Sequence, residues 1–201
     1  MVPRRVLPLI VLLVLAAPRP ARADFFITPF AGMKFGGSTT IVDLELAAGT
    51  KKFVLGATAM KIDNRIVGFD ASFGNIAGYF DNDAVAVIKP LVKTGNYVND
   101  LTGSVLLTLP PGATGGGLRP YAAIGGGLIH ASAEDIIEVF KVRRTVPALT
   151  LGAGAIGMLT NNVGVRFDMR YLRSLTSDAP VGGVGRSIAY SRFTIGLMLR
   201  P

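Results

Sequence analysis

The sequence predicts an all-β fold, an eight-stranded antiparallel up-and-down transmembrane β-barrel preceded by a cleavable signal peptide. Three observations carry this expectation. Half of the 201 residues are hydrophobic, only 17% are charged and the mean hydropathy is +0.47, a composition that suits contact with lipid. Beyond residue 24 charged or turn-forming residues interrupt every apolar run before it reaches the length of a helical span. Closed strands are then the remaining way to pair every backbone group inside a bilayer. Finally, eight segments alternate apolar with polar or small side chains, the period of a pleated strand, and turn-forming clusters separate them.

At the amino terminus Arg4 and Arg5 precede the apolar stretch Val6 to Ala17, and Ala21-Arg22-Ala23 supplies small residues for cleavage. The expected division is therefore a signal peptide over 1–23 and a barrel over 24–201. Cleavage would remove Arg4, Arg5, Arg19 and Arg22, so the formal charge of +8 less these four becomes +4. The remaining basic residues are dispersed, with no basic stripe carrying interleaved aromatics, and nucleic acid is not expected as a partner.

The first strand is expected over Phe25 to Phe35, with Phe25, Ile27, Ala31, Met33 and Phe35 on one face and Thr28, Gly32 and Lys34 on the other. Pro29 interrupts it and calls for a strand end or a bulge. The second, Lys52 to Ile62, places Phe53, Leu55, Ala57 and Ala59 outside and ends at a turn on Asp63-Asn64. In the third, Ile66 to Asn75, Val67, Phe69, Ala71 and Phe73 oppose Gly68, Asp70, Ser72 and Gly74. The fourth, Asn99 to Leu109, sets Leu101, Val105 and Leu107 against Asp100, Thr102, Ser104 and Thr108.

The fifth segment, Arg119 to Ser132, and the sixth, Thr145 to Met158, are rich in Gly and Ala, so alternation does not fix which face is which. The seventh is the clearest, with Val163, Val165, Phe167, Met169 and Tyr171 alternating with Gly164, Arg166, Asp168 and Arg170. The eighth, Ile188 to Arg200, repeats this, with Phe193, Ile195, Leu197 and Leu199 opposing Arg192, Thr194, Gly196 and Arg200. Connections near 63–65, 110–118 and 160–162 are the shorter ones, and those over 36–51, 76–98, 133–144 and 173–186 the longer. This is the asymmetry of short turns at one end and long loops at the other.

In such a barrel lipid takes the apolar face and the narrow lumen takes the charges. Asp70, Arg166, Asp168, Arg170 and Arg192 are thereby expected to form a lumen charge network, either a satisfied set of ion pairs or a gate that opens by re-pairing. Tyr79, Phe80, Tyr97, Tyr121, Tyr171 and Tyr190 fall near strand ends, where interface-girdle aromatics belong.

Phe25-Ile27-Thr28-Pro29-Phe30, Arg119-Pro120-Tyr121 and the run Gly164 to Tyr171 resemble the small outer-membrane β-barrel family of the OmpA type, over essentially all of residues 24–201. The resemblance implies a Gram-negative cell outer membrane. It implies membrane lipid and lipopolysaccharide as surroundings, the outer-membrane assembly machinery as a partner, and loops able to take an extracellular ligand. Members usually end on an aromatic residue, whereas this sequence ends Leu199-Arg200-Pro201.

No catalytic, cofactor or metal residues are expected. Cysteine is absent and His130 is the only histidine, without an HExxH pattern. His130 and Ser132, with Glu134 behind them, raise a lipid A-modifying hydrolase, but neighbours on one strand face lie about 6–7 Å apart and no oxyanion-hole signature accompanies them. Gly125-Gly126-Gly127 and Gly152-Ala153-Gly154 lack the Lys-Ser or Lys-Thr of a phosphate loop. The expected function is structural, a barrel displaying four outer loops. The alternative is a narrow or lateral conduit for small apolar molecules past Val54, Met60 and Leu106.

Overall fold

The structure, a computed structural model, describes residues 24–39, 51–62, 66–79, 96–110, 117–134, 141–176 and 187–201. The proposed signal peptide, the Asp63-Asn64 turn, Phe80 and most of the long loops lie outside these residues. Eight strands follow one another: β1 (Asp24–Thr39), β2 (Lys52–Ile62), β3 (Val67–Ala77), β4 (Tyr97–Thr108), β5 (Leu118–Glu134), β6 (Lys141–Met158), β7 (Val163–Ser174) and β8 (Ile188–Leu199). Each pairs antiparallel with its neighbours in sequence and β1 pairs with β8, closing the barrel. Closure leaves no sheet edge, which is what a backbone in hydrocarbon requires. The described residues contain no helix long and apolar enough to cross a membrane, so the strands are what could cross.

The alternation sorts side chains to two surfaces. Phe53, Phe69, Leu101, Phe73, Met169 and Ile195 stand exposed on the outer wall, while Thr28, Asp70, Thr102, Arg166, Arg170 and Thr194 are buried in the lumen. In the Gly- and Ala-rich strands, where the sequence leaves the phase open, Ile124, Leu128, Leu149 and Leu151 face outward and Ala123, Ile129, Val146 and Ile156 inward. Volume decides this, because each of the four outward side chains is large and the lumen is already occupied from the other strands.

β5 and β6 are longer than the alternation indicates. Pairing continues through Ala133↔Val142 to Glu134↔Lys141, so the expected loop 133–144 contracts to 135–140. At 17 and 18 residues these strands exceed the ~9–11 that cross a bilayer and project beyond it at the end opposite the termini. Pro29 lies inside β1 and pairs with Ala57 of β2. Its missing N–H falls on the β8 side, where the register passes from Ile27↔Leu199 directly to Phe30↔Gly196. The same seam carries an irregularity between Phe35 and Ser38.

The lumen is layered. Phe26, Met60, Ile62, Leu106, Tyr121, Ala123, Ile156 and Met198 form an apolar cluster at the end holding the termini. Phe30, Val54, Ile76, Tyr79, Val98, Ile129, Leu172 and Tyr190 form another in the opposite half. The buried arginines and aspartates lie between them, as Asp100 does between Val98 and Leu106 on β4 and Arg192 between Tyr190 and Met198 on β8, whereas Lys34 and Lys52 lie on the long-loop side of Phe30 and Val54.

Candidate functional site

Inward alternation brings three arginines and three aspartates into the middle of the barrel, all buried: Arg166, Arg170, Arg192, Asp70, Asp100 and Asp168. Arg166 and Arg170 leave β7 and reach Asp70 on β3, on the far side of an eight-membered ring. Arg166 Nη2 donates to Asp70 Oδ2 at 2.7 Å and to Asp168 Oδ2 at 2.6 Å. Arg170 Nη2 donates to the same Asp70 oxygen, Nε to Asp168 Oδ1 at 2.8 Å, and Nη1 to Ser104 Oγ at 3.2 Å. Tyr121 from β5 completes this cluster, its hydroxyl donating to Asp168 Oδ2 and accepting from Arg166 Nε at 2.8 Å.

A second cluster crosses between another opposed pair, β8 and β4. Arg192 Nη1 donates to Asp100 Oδ1 and Oδ2 at 2.8 and 2.7 Å, and Nη2 to Ser72 Oγ at 3.1 Å. Tyr190 donates to Asp100 Oδ2 at 2.9 Å. Only a long cation with several donors can span the lumen and hold carboxylates at more than one point, which is the use of Arg here rather than Lys.

Glycine makes the crossings possible. A Cβ on Gly74 would collide with Arg192 Nη1 and Asp100 Oδ2, and one on Gly154 with the Tyr121 hydroxyl. Neutrality is local to this layer. Lys52, Lys34, Arg192 and Arg170 stand side by side in register on β2, β1, β8 and β7, a row of four buried cations. Lys34 Nζ lies 4.3 Å from the ring centroid of Tyr79, whose phenol burial pushes above its ordinary range. Tyr79 in turn meets Tyr190 edge-on at 5.7 Å.

The five residues Asp70, Arg166, Asp168, Arg170 and Arg192 thus occupy one layer, though not one cluster. Arg192 shares no carboxylate with the other four. Asp100 was missing from the expected set, although it shares its face with Thr102 and Ser104. The three lumen tyrosines were misplaced. Tyr79, Tyr121 and Tyr190 are buried inside the barrel rather than in a girdle. Position near a strand end suggested the girdle, but Tyr190 is two residues from inward Arg192 and must share its face. Tyr171 does stand exposed on the wall.

Val54, Met60 and Leu106, expected as the lining of a conduit, are fully buried within the two apolar layers. His130 Nδ1 lies 2.8 Å from Thr145 Oγ1, whereas Ser132 Oγ has no hydrogen-bond partner. The geometry therefore contains no Ser–His pair. Among the described residues no cluster of His, Cys, Asp or Glu could hold a metal ion.

Against known proteins, the model of the outer membrane protein beta-barrel domain matches residues 7–200. The chain belongs to this family. As a member it is an outer-membrane protein, and solved structures agree at the level of fold. Neisserial surface protein A shares 16% identity, with 88% of this chain and 96% of that one covered and a TM-score of 0.63. Outer membrane protein OprG from Pseudomonas aeruginosa shares 15%, over 89% and 97%, with a TM-score of 0.51. No curated protein matches the sequence.

Proposed function

We propose that this family member is a non-conducting scaffold of the outer membrane, exported by removal of residues 1–23, whose lipid-anchored barrel carries four outer loops to partners. The observation that carries the reading is a lumen blocked at three successive levels, by an apolar layer, the ionic layer and a second apolar layer. An eight-stranded barrel has room only for the side chains that fill it. The ionic layer serves stability, since Asp70 and Asp100 are each held by Arg donors from the opposed strand and Asp168 by Arg166 and Arg170 of its own strand, and a gate would have to break several of these at once. No enzymatic role is proposed, and lipopolysaccharide, the assembly machinery and any extracellular ligand are partners of the wall and loops rather than of the lumen.

The test is single-channel recording of the purified barrel in planar bilayers. No stepwise conductance is expected in 1 M salt, where an open pore would be readily seen. Stable, reproducible steps that persist after further purification would overturn the scaffold reading in favour of the conduit.

A further inference from the structure

A small cavity separates the two ionic clusters. Its volume is about 10 Å³, close to the least that admits one water molecule. Arg166, Asp168 and Arg170 line it from one cluster and Arg192 and Ser72 from the other, and Thr28 of β1 belongs to the same wall.

Two polar groups of that wall are left over by the protein's own hydrogen bonding. Arg192 uses Nη1 on both oxygens of Asp100 and Nη2 on Ser72 Oγ, while its Nε finds no acceptor in the protein. Thr28 is 1% exposed, and its hydroxyl has no partner there either. A buried guanidinium N–H without an acceptor costs more than a neutral donor in the same place, and buried hydroxyls are ordinarily satisfied. Asp70 Oδ1 and the hydroxyls of Thr102 and Thr150 also lack partners, but none of these residues lines the cavity. Unused donors and space to serve them coincide at Arg192 and Thr28.

We propose that this cavity binds one water molecule, which accepts from Arg192 Nε and pairs with the Thr28 hydroxyl, placing a hydrogen-bonded link between two clusters that share no carboxylate. Size and charge both select water. The space excludes a larger polar molecule. A monovalent anion would be drawn by the guanidinium groups, but Asp168 stands in the same wall and the three arginines of the layer are matched by Asp70, Asp100 and Asp168. Water both accepts and donates, so after taking the Arg192 N–H it keeps its protons for Thr28 Oγ1 and for Thr58 or Thr194, whose side chains also line the cavity. It is enclosed as the barrel closes and needs no route from outside. The apolar clusters on either side keep a single enclosed water from being a path, so the inference stands apart from the scaffold reading.

The test is a crystal structure of the full barrel at a resolution that shows ordered water. A density peak should lie about 2.7–3.2 Å from Arg192 Nε and within hydrogen-bond reach of Thr28 Oγ1. Crystals grown in bromide instead of chloride should show no anomalous signal at that peak. Thr28→Ile, which turns an apolar branch into the same space, should lose the peak, whereas Thr102→Val, at an unpaired hydroxyl away from the cavity, should keep it. A cavity without density, a bromide signal within it, or a peak that survives Thr28→Ile would each overturn the site. Should Thr28→Ile fail to give a heat-modifiable barrel, the wild-type density and the bromide crystals decide alone.

Discussion

The two ionic clusters of the lumen are built from the same residue types across the same distance, yet they differ in redundancy. On the β3–β7 side, Asp70 and Asp168 share Arg166 and Arg170, so each carboxylate has a second arginine. On the β4–β8 side, Asp100 has Arg192 and a tyrosine hydroxyl only. A carboxylate stripped of its last cation in a dry interior bears the whole desolvation cost, whereas one that keeps a partner bears a fraction of it. The smaller cluster should therefore be the more fragile.

The sharpest test is a pair of substitutions read by urea unfolding in lipid. Arg192→Met should cost about 3–5 kcal/mol by leaving Asp100 without a cation. Arg170→Leu should cost about 1–3 kcal/mol, because Asp70 and Asp168 retain Arg166. Equal midpoints for the two variants would remove the distinction between the clusters. Next in size, Gly74→Ala should cost about 1–3 kcal/mol by pressing a methyl group into the Arg192–Asp100 pair. If the collision is the cause, most of that cost should vanish when the substitution is made in the Arg192→Met background; a fully additive double variant would show the strain lies elsewhere. The smallest effect belongs to the redundant side. Tyr121→Phe removes one hydroxyl from a carboxylate already held by two arginines and should cost about 1 kcal/mol, measured in the same way. A loss as large as that of Arg192→Met would mean the tyrosine, rather than the duplicated arginines, holds that cluster.

Much of the architecture was legible because strand alternation is a strong signal wherever the two faces differ in chemistry. Val163 to Tyr171 declares its faces residue by residue. The phase of β5 and β6 could not be read in advance, since Gly and Ala fit either environment, and it is settled by what the other strands have already put inside. The cluster membership was hidden for a related reason. Alternation says that Asp100 and Arg192 point inward, but which charges meet depends on register between strands far apart in sequence. Tyr190 was misread because an aromatic near a strand end fits two roles, and only the parity of nearby Arg192 separates them, while Tyr121 lies in the Gly- and Ala-rich segment whose faces the sequence leaves open.

The join between the first and last strands has a consequence for how the ring is fastened. Its two partners come from opposite ends of the chain, so this clasp carries the largest loop-closure entropy of any pairing in the barrel. It is also the join in which Pro29 offers no amide and the ladder slips near Phe35. The costliest contact to make is thus one whose ladder is broken twice, at Pro29 and between Phe35 and Ser38. Unzipping should begin there while the remaining hairpins still hold their shape.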